Sequence, residues 1–350
     1  MDSTLDLLTL ALLPGLAPLT AVELLGRGPL ADALARPGAQ VDLLAAPALE
    51  ALRSGSARRE AEAEVRRAEG LGIRVVGRDE PDYPAWLRRV YAPPLVLWTR
   101  GGLVAGEGER AVAVVGSRAA TGLGLAFARA LGRDLAEAGV AVVSGLARGI
   151  DGAAHRGALE GRGRTVAVLG SGLDRLYPPE NRSLAQAIEA DGAVVSEFPL
   201  GAPPWKANFP RRNRVIAGWA RATVVVEAGA RSGALSTARA ALDEGRDVMA
   251  VPGHPSQPAA QGVNALLRDG AILVRGADDV LAEIGLARAA PGREEPVDEV
   301  LAALDRRAPA GVDEIQTRCR LALPALLARL SELEVQAAVV RLPGALFVRR

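Results

Sequence analysis

One stretch of the chain, residues 111–151, constrains the fold more than any other. An apolar run of Ala and Val at 111–115 meets Gly116-Ser117-Arg118, a helical pattern follows, and a second apolar run at 140–143 meets Ser144-Gly145. Strand, tight turn, helix and strand in this order form the βαβ unit of a parallel sheet. Turns after such strands lie at the carboxyl edge of the sheet, where open α/β folds bind their ligands. Two turns that carry Ser, Gly and Arg therefore indicate a phosphate-bearing ligand.

The alternation of apolar runs and helical patterns continues beyond this unit. Further runs lie at 165–169, 193–195, 222–226, 247–251 and 271–274, and helical patterns lie at 152–160, 180–190, 234–244 and 261–268. This alternation predicts the α/β class, as a Rossmann-like doubly wound parallel sheet. We assign residues 76–288 to this domain, whose first part, to about residue 101, reads as an extended connector broken by prolines.

The first 75 residues are predicted to form a separate helical domain, because short helical patterns there alternate with Pro and Gly breaks. A hairpin at Pro14-Gly15, of the SAM-like or helix-hairpin-helix-like kind, would offer backbone N–H groups to a DNA phosphate. Ala17 stands where such hairpins usually have a second glycine. A plain helical domain is therefore the favoured interpretation.

The C-terminal segment, residues 297–350, follows a polar linker at 289–296. Three short helical patterns and two strand patterns joined around Pro343-Gly344 predict a winged helix. A helix that reads duplex DNA should be basic, but the third helical pattern offers Arg329 against Glu332 and Glu334. A protein contact is at least as well supported as a role in reading duplex DNA.

The composition calls for a local binding surface. The net charge is +1, so no overall field attracts nucleic acid. With 49% hydrophobic but only 3% aromatic residues, the chain can bury an aliphatic core. Four aromatic side chains flanked by Pro and Leu, which are Tyr83, Trp86, Tyr91 and Trp98, are predicted to lie in that core rather than on a base-stacking surface.

Cysteine usage and hydropathy predict a cytoplasmic protein. The single cysteine, Cys319, excludes an intramolecular disulfide and a thiolate metal cluster, and we expect a buried thiol. The apolar stretch at 7–22 is too short for a membrane span and is broken by prolines. Asp2 and Asp6 stand where an export signal would be basic. We therefore expect no membrane contact.

Glycine-rich turns follow four of the predicted strands. Glycine allows the backbone to approach an anion closely, and N–H groups at the following helix start favour negative charge. In one turn a glycine need only make the turn, but four such turns at one edge favour an anion site. The four segments are 116–118, 144–151, 170–174 and 227–233.

The familiar nucleotide fingerprints fail, so no cofactor is expected. Gly116 and Gly122 are five residues apart and Leu123 follows, which excludes a P-loop. In the two partial dinucleotide patterns, Arg175 and Phe127 occupy the place of the third glycine.

The most distinctive segment, at 206–214, carries four cations, one aromatic ring and two asparagines. Cations that track a backbone and planar groups that stack on bases are the requirements of a single-strand site. The alternative is a helix start whose arginines pair with surface acids. Because the nearest acids in sequence, Glu197 and Glu227, predict poor local pairing, we favour the binding interpretation.

Catalysis finds little support, and we expect a non-enzyme. Asp151 and His155 lie four residues apart and would share one helix face as an acid–base pair, but Asp151 before Gly152 is better interpreted as a helix N-cap. With His155 and His254 as the only histidines, no metal site is expected.

Seven sequence motifs resemble those of a known protein family. They are AVVGSR (113–118), SGLARGIDGAAH (144–155), AVLGSGLDRLYPPEN (167–181), SEFPLG (196–201), FPRRNRVIAG (209–218), RSGALSTA (231–238) and GRDVMAVPG (245–253). In this order, within about residues 80 to 285, they resemble the DNA-processing protein A (DprA) family, and the flanking domains resemble that family's accessory domains more loosely. The resemblance implies a dimeric mediator that binds and protects single-stranded DNA and loads the RecA recombinase during natural transformation. A single-strand-binding protein is a further candidate partner.

The resemblance also implies site residues at the matching positions. Arg118 looks like the main phosphate or base contact and Lys206 like a second cation. Many members carry a basic residue where this chain has Pro179, so part of the usual cationic pocket is missing, and the arginines of FPRRNR are expected to compensate. The full set of expected DNA-binding residues is Arg118, Ser144, Gly145, Arg148, Lys206, Phe209, Arg211, Arg212, Asn213 and Arg214.

The competing hypothesis is an enzyme or sensor that acts on a small nucleotide, because related Rossmann-like proteins cleave or bind such ligands. Asp151 and Glu227 would then be the residues to test.

Overall fold

A nine-stranded sheet organises the larger part of the protein, which we describe from a computed structural model. The structure describes residues 3–28, 30, 32, 43–286, 299–305, 308–319, 321–335 and 338–349. The chain divides into two compact units, Met1–Ala287 and Arg288–Arg350. The predicted linker at 289–296 lies outside the described residues.

The strands of the larger unit form because runs of Val and Ala can be buried on both faces of a parallel sheet. All five residues of the strand that opens the βαβ unit are buried. The strands are β1 (Arg74–Gly77), β2 (Val96–Gly101), β3 (Ala111–Val115), β4 (Ala141–Ser144), β5 (Thr165–Leu169), β6 (Ala193–Ser196), β7 (Ala222–Val225), β8 (Asp247–Ala250) and β9 (Ile272–Leu273).

The strand order shows the doubly wound topology that the sequence predicts. It is β1-β2-β6-β5-β4-β3-β7-β8-β9, with parallel pairing from β6 to β9. The chain order reverses between β3 and β7, so a crevice opens at their carboxyl ends.

Helices cover both faces of this sheet. The first four belong to the N-terminal region and the others follow or separate the strands. They are α1 (Thr4–Ala11), α2 (Pro18–Gly26), α3 (Ala46–Arg53), α4 (Ser56–Gly70), α5 (Ala85–Arg88), α6 (Gly122–Glu137), α7 (Ile150–Glu160), α8 (Arg182–Asp191), α9 (Asn208–Trp219), α10 (Ala234–Asp243), α11 (Gln261–Arg268) and α12 (Ala277–Glu283).

The predicted connector contributes two strands of its own to the sheet. Strand β2 pairs antiparallel with β6, and β1 pairs antiparallel with β2. The sheet is therefore mixed at this edge and parallel elsewhere. Tyr83 and Trp98 are buried as predicted and Trp86 is half-buried, but Tyr91 is 74% exposed, so the core prediction is wrong for that residue.

The N-terminal helices share a hydrophobic core with one face of the sheet. Leu7 and Leu8 lie in the same buried cluster as Trp98, Leu146 and Leu200. The domain boundary near residue 75 stays a prediction.

Two polar contacts join helix α4 to loops at the carboxyl edge. The buried Glu64 accepts a hydrogen bond from the Leu200 backbone N–H at 2.6 Å, and Arg67 pairs with Asp174 at 2.9 Å. Asp174 in turn accepts from the Gly201 N–H at 2.7 Å. The N-terminal helices therefore brace the loops that follow β5 and β6.

The smaller unit has the predicted winged-helix architecture. Helices α13 (Glu299–Ala303), α14 (Val312–Cys319) and α15 (Leu323–Val335) pack with a three-stranded sheet of β10 (Ala310–Gly311), β11 (Val339–Leu342) and β12 (Leu346–Arg349). Cys319 is buried, as expected.

Across the described residues, every helix is too short or too polar to span a lipid bilayer.

Candidate functional site

The candidate site lies in the crevice between the ends of β3 and β7. The turn after β3 is tied to the turn after β7, because the Ser117 N–H donates to the Glu227 carbonyl oxygen at 2.7 Å. A cavity of about 610 Å³ opens there, with Gly116, Ser117 and Arg118 on one side and the start of α9 on the other. The carboxyl-edge position is the one that the sequence predicts for a ligand.

A second cavity, of about 310 Å³, adjoins the first. Arg118, Phe209 and Arg212 line both cavities, and Arg148 and Tyr177 line the smaller one. The Arg118 guanidinium lies over the Phe209 ring at 4.6 Å from its centroid, and the Tyr177 and Phe209 ring centroids are 6.2 Å apart. Arg118 and Phe209 therefore stand between the two cavities, and Tyr177 adds a second ring on the side of the smaller one.

Three exposed cations surround these cavities, and they differ in their partners. Within the described part of the chain, Arg118 and Lys206 make no ion pair, whereas Arg148 pairs with Glu180. Glu180 follows the exposed Pro179. Glu180 therefore offsets the positive charge of Arg148 beside the smaller cavity.

Arg212 is the buried counterpart of these cations. It is 4% exposed and donates to the carbonyl oxygens of Gly145, at 2.7 Å, and Val168. Burial lowers the pKa of Arg212 to about 10. A Cβ atom on Gly145 would lie 2.4 Å from this guanidinium, so glycine is needed here to make room for Arg212. Arg212 therefore holds the turn after β4 in place from its buried side.

Asp151 completes the buried floor of the larger cavity. Helix α7 begins at Ile150 and is preceded by Gly149, whose φ of 77° favours glycine, so the prediction that Asp151 is the N-cap is wrong. Its carboxylate instead accepts from the N–H groups of Gly145, at 3.1 Å, and Ala147, at 3.4 Å. Burial raises the pKa of Asp151, and the Arg212 charge acts in the opposite direction.

Two further predicted residues support the site from within. Ser144 is fully buried and its hydroxyl donates to the Val114 carbonyl oxygen at 2.6 Å, which ties β4 to β3. Asn213 lines the larger cavity, accepts from Arg212 at 3.1 Å and donates to the Ser236 hydroxyl at 2.8 Å. Both residues position their neighbours.

Arg211 and Arg214 lie on another side of helix α9, so the predicted lack of local partners is wrong for them. The buried Glu197 pairs with Arg214, and with Arg211 at 3.5 Å. Arg211 also lies over the Phe198 ring at 5.2 Å, and Arg214 donates to the Ala92 carbonyl oxygen. The loop after β6 doubles back onto α9, which brings Glu197 to both arginines.

The geometry gives no acid–base pair between Asp151 and His155. His155 is fully buried, and its Nδ1 lies 2.7 Å from the Thr165 hydroxyl. Burial lowers the pKa of His155 to about 3, so the ring is neutral near pH 7. Glu227 accepts hydrogen bonds from the N–H and hydroxyl of Thr121. Among the described residues, no three His, Cys, Asp or Glu side chains converge as metal ligands would.

The site contains residues that the sequence interpretation did not select. Tyr177 faces Phe209 across the smaller cavity, and Ser232, Ser236 and Thr237 line the larger one. Ser232 lies in the turn after β7, which the sequence predicts at this edge, whereas Ser236 and Thr237 lie in helix α10. The pairing of β3 with β7, which are distant in sequence, brings these residues to the same cavity as Ser117.

Comparison with known proteins identifies the family. The model of DNA recombination-mediator protein A matches residues 74–285, and the model of the DprA winged helix domain matches residues 284–345. The chain is similar to Protein Smf of Synechocystis, with 35% identity over 78% of this chain and 79% of that protein.

Two solved structures are similar as well. The X-ray structure of DprA from Streptococcus pneumoniae matches with a TM-score of 0.63 and 34% identity, over 81% of this chain and 99% of that one. A structure described as showing the unique single-stranded DNA binding mode of DNA processing protein A from Helicobacter pylori matches with a TM-score of 0.55 and 26% identity, over 61% of this chain and 95% of that one. Because the first family model alone spans well over half of its length, this chain belongs to the DNA recombination-mediator protein A (DprA) family.

Proposed function

We propose that this protein binds single-stranded DNA in the two adjoining cavities and acts as a mediator that protects the strand and loads RecA during natural transformation. The family membership supports a role in DNA recombination. The relative from Helicobacter pylori, for which single-strand binding is described, supports the choice of ligand.

The contact of Arg118 with Phe209 carries the proposal. A single strand exposes both its phosphates and the faces of its bases, so it is bound by cations that track the backbone and by rings on which bases stack. Arg118 lies over Phe209 at the junction of the two cavities, and Lys206 adds an exposed cation to the larger one. Duplex DNA keeps its base faces stacked inside the helix and cannot use the ring in this way.

The expected DNA-binding residues take different roles in this proposal. Arg118, Lys206 and Phe209 contact the strand directly, and Arg148 joins them when it leaves Glu180. Arg212, Asn213, Ser144 and Gly145 hold the walls in place, while Arg211 and Arg214 fix helix α9 through Glu197. The burial and partners of each side chain support this division.

The proposal includes a cytoplasmic homodimer with RecA as its partner and a single-strand-binding protein as a candidate one. Sedimentation of the full chain would test the dimer. Loading is tested by assembly of RecA on DNA already covered by single-strand-binding protein, which the full chain should accelerate.

Titration of labelled oligo-dT and of a duplex at two salt concentrations tests the binding. We expect the single strand to bind more tightly, with an affinity that falls as salt rises because phosphate contacts release counterions. Arg268→Ala is the matched control, because this exposed arginine lies at the end of α11 and pairs with Asp269. Equal affinity for single strand and duplex, or equal loss in Arg118→Ala and Arg268→Ala, would contradict the proposal.

A small nucleotide is the second candidate ligand, and the lining and volume of the larger cavity favour it. Hydroxyls of Ser117, Ser232, Ser236 and Thr237 line a space of about 610 Å³ at the start of helix α10. Turnover of a nucleoside monophosphate, lost in Asp151→Asn or Glu227→Gln, would establish an enzyme. Absence of turnover with every nucleotide, together with tight binding of oligo-dT, would exclude the enzyme and support the DNA-binding mediator.

A further inference from the structure

Trp205 is an exposed aromatic side chain at the edge of the candidate site. It is 65% exposed, whereas Trp98 and Trp219 are buried and Trp86 lies under the Arg246 guanidinium at 4.1 Å. It directly precedes Lys206, which lines the larger cavity. Among the described residues, neither the ring pair nor the cation–ring contacts involve Trp205.

The loop that carries Trp205 is fixed by hydrogen bonds at both ends. The Trp205 N–H donates to the Pro203 carbonyl oxygen at 2.8 Å, and the Asn208 N–H donates to the Trp205 carbonyl oxygen at 3.0 Å. The Asn208 side-chain amide also donates to the carbonyl oxygens of Gly170 and Pro203, each at 3.1 Å. Gly170 lines the smaller cavity, so this bond anchors the loop to the candidate site.

An exposed indole on a fixed backbone has the properties of a stacking platform. A large aromatic ring left in water forgoes the stabilisation that burial would bring. Because the backbone on both sides is already ordered, a ligand that covers the ring loses little conformational freedom. The neighbouring Lys206 ammonium would attract a phosphate to the same place.

Resting on the proposed function, we propose that Trp205 stacks on a base of the single strand next to the nucleotide whose phosphate Lys206 holds. The strand then contacts an aromatic surface that begins at Tyr177 and Phe209 and continues beyond the larger cavity to Trp205. This assigns to the site a residue outside both cavities, and it requires a ligand longer than one nucleotide.

Intrinsic fluorescence of the full-length protein tests this role, because Trp205 is the most exposed of its four tryptophans. Unlabelled oligo-dT should quench the emission of the wild-type protein, and Trp205→Phe should abolish the quenching while affinity stays within about threefold, since phenylalanine still stacks. Trp205→Ala should weaken binding of a labelled oligo-dT about tenfold. Trp86→Phe, which removes another partly accessible tryptophan, should keep the quenching.

The outcomes separate the stacking role from the proposed function. Persistent quenching in Trp205→Phe, or wild-type affinity in Trp205→Ala, would overturn the stacking role while single-strand binding stands. If labelled oligo-dT does not bind the wild-type protein at all, measured by anisotropy, the proposed function fails and the stacking role with it.

Discussion

The exposed rim of the candidate site, which consists of Arg118, Arg148 and Lys206, and its buried floor, which consists of Arg212 and Asp151, use arginine in opposite ways. Arg118 on the rim and Arg212 in the floor both lie near the Phe209 ring, at 4.6 and 5.9 Å. Arg118 is exposed, while Arg212 is almost fully buried and donates to two carbonyl oxygens. A guanidinium in water is available to a ligand, whereas a buried one is committed to the fold. A cation that belongs to a binding motif therefore need not contact the ligand.

The largest effect is expected from breaking the floor. Arg212→Ala leaves the carbonyl oxygens of Gly145 and Val168 without the Arg212 donor, and it removes one of the two positive charges, Arg212 and Arg118, that act on Asp151. We expect the free energy of unfolding to fall by about 3 kcal/mol, measured by urea denaturation, and DNA binding to fall with it. Wild-type stability combined with lost binding would place Arg212 among the rim contacts instead.

Titration of the buried His155 is expected to have the next largest effect. His155 has a pKa of about 3 in the folded protein against 6.5 when unfolded, so the unfolded chain binds the proton first as pH falls. The contribution of His155 to the free energy of unfolding is therefore fully present above pH 6.5 and is lost as the pH falls below it. The contribution of His155 should fall by about 2 kcal/mol between pH 7 and pH 5.

Comparison of wild type with His155→Asn isolates this contribution, because other groups titrate equally in both. The difference between their unfolding free energies should shrink as pH falls from 7 to 5. A difference that stays constant over this range would show that the imidazole is accessible to protons in the folded state.

A smaller effect is expected on the rim. Arg118→Ala removes an exposed cation without removing a hydrogen bond within the described residues, so stability should change by less than about 0.5 kcal/mol. Affinity for oligo-dT should fall about tenfold, and the dependence of log affinity on log salt should become shallower by about 0.7. A loss of unfolding free energy larger than the loss of binding free energy would show that Arg118 has a structural role, like Arg212.

The smallest effect is expected on the far side of helix α9. Arg211 is half-exposed and pairs with Glu197 at 3.5 Å, away from both cavities. Arg211→Ala should change oligo-dT affinity by less than about twofold and stability by less than about 1 kcal/mol. A tenfold loss, matching Arg118→Ala, would show that the strand also crosses this side of the helix.

The sequence predicts the parallel part of the sheet well because that part has a simple pattern. Strand β3 occupies the predicted residues 111–115, and β5 occupies 165–169. The sequence around β1 and β2 is interpreted as a connector because prolines interrupt the residues between them. In the structure both strands pair antiparallel. Their inclusion in the sheet depends on contact with β6, which is distant in sequence.

The sequence predicts where the candidate site lies but not which side chains face it. The turns after β3 and β4 were placed correctly at one edge, since parallel strands end on the same side. Which arginines face the cavities was not predictable, because it depends on the direction of helix α9 and on the loop that returns Glu197 to Arg211 and Arg214. The spacing of charges along the sequence reveals neither the direction of the helix nor the path of the loop.

The position of Lys206 gives the protein a chemical property that its arginines cannot supply. Lys206 is the only lysine in the chain, and it is exposed on the wall of the larger cavity. Arginine keeps its charge in proteins and is a poor nucleophile, whereas a deprotonated lysine amine reacts with acylating reagents. Apart from the terminal amine, Lys206 therefore carries the single amine open to acylation, and a bound strand would shield it. The rate of acylation at Lys206 would then report how much of the cavity is occupied.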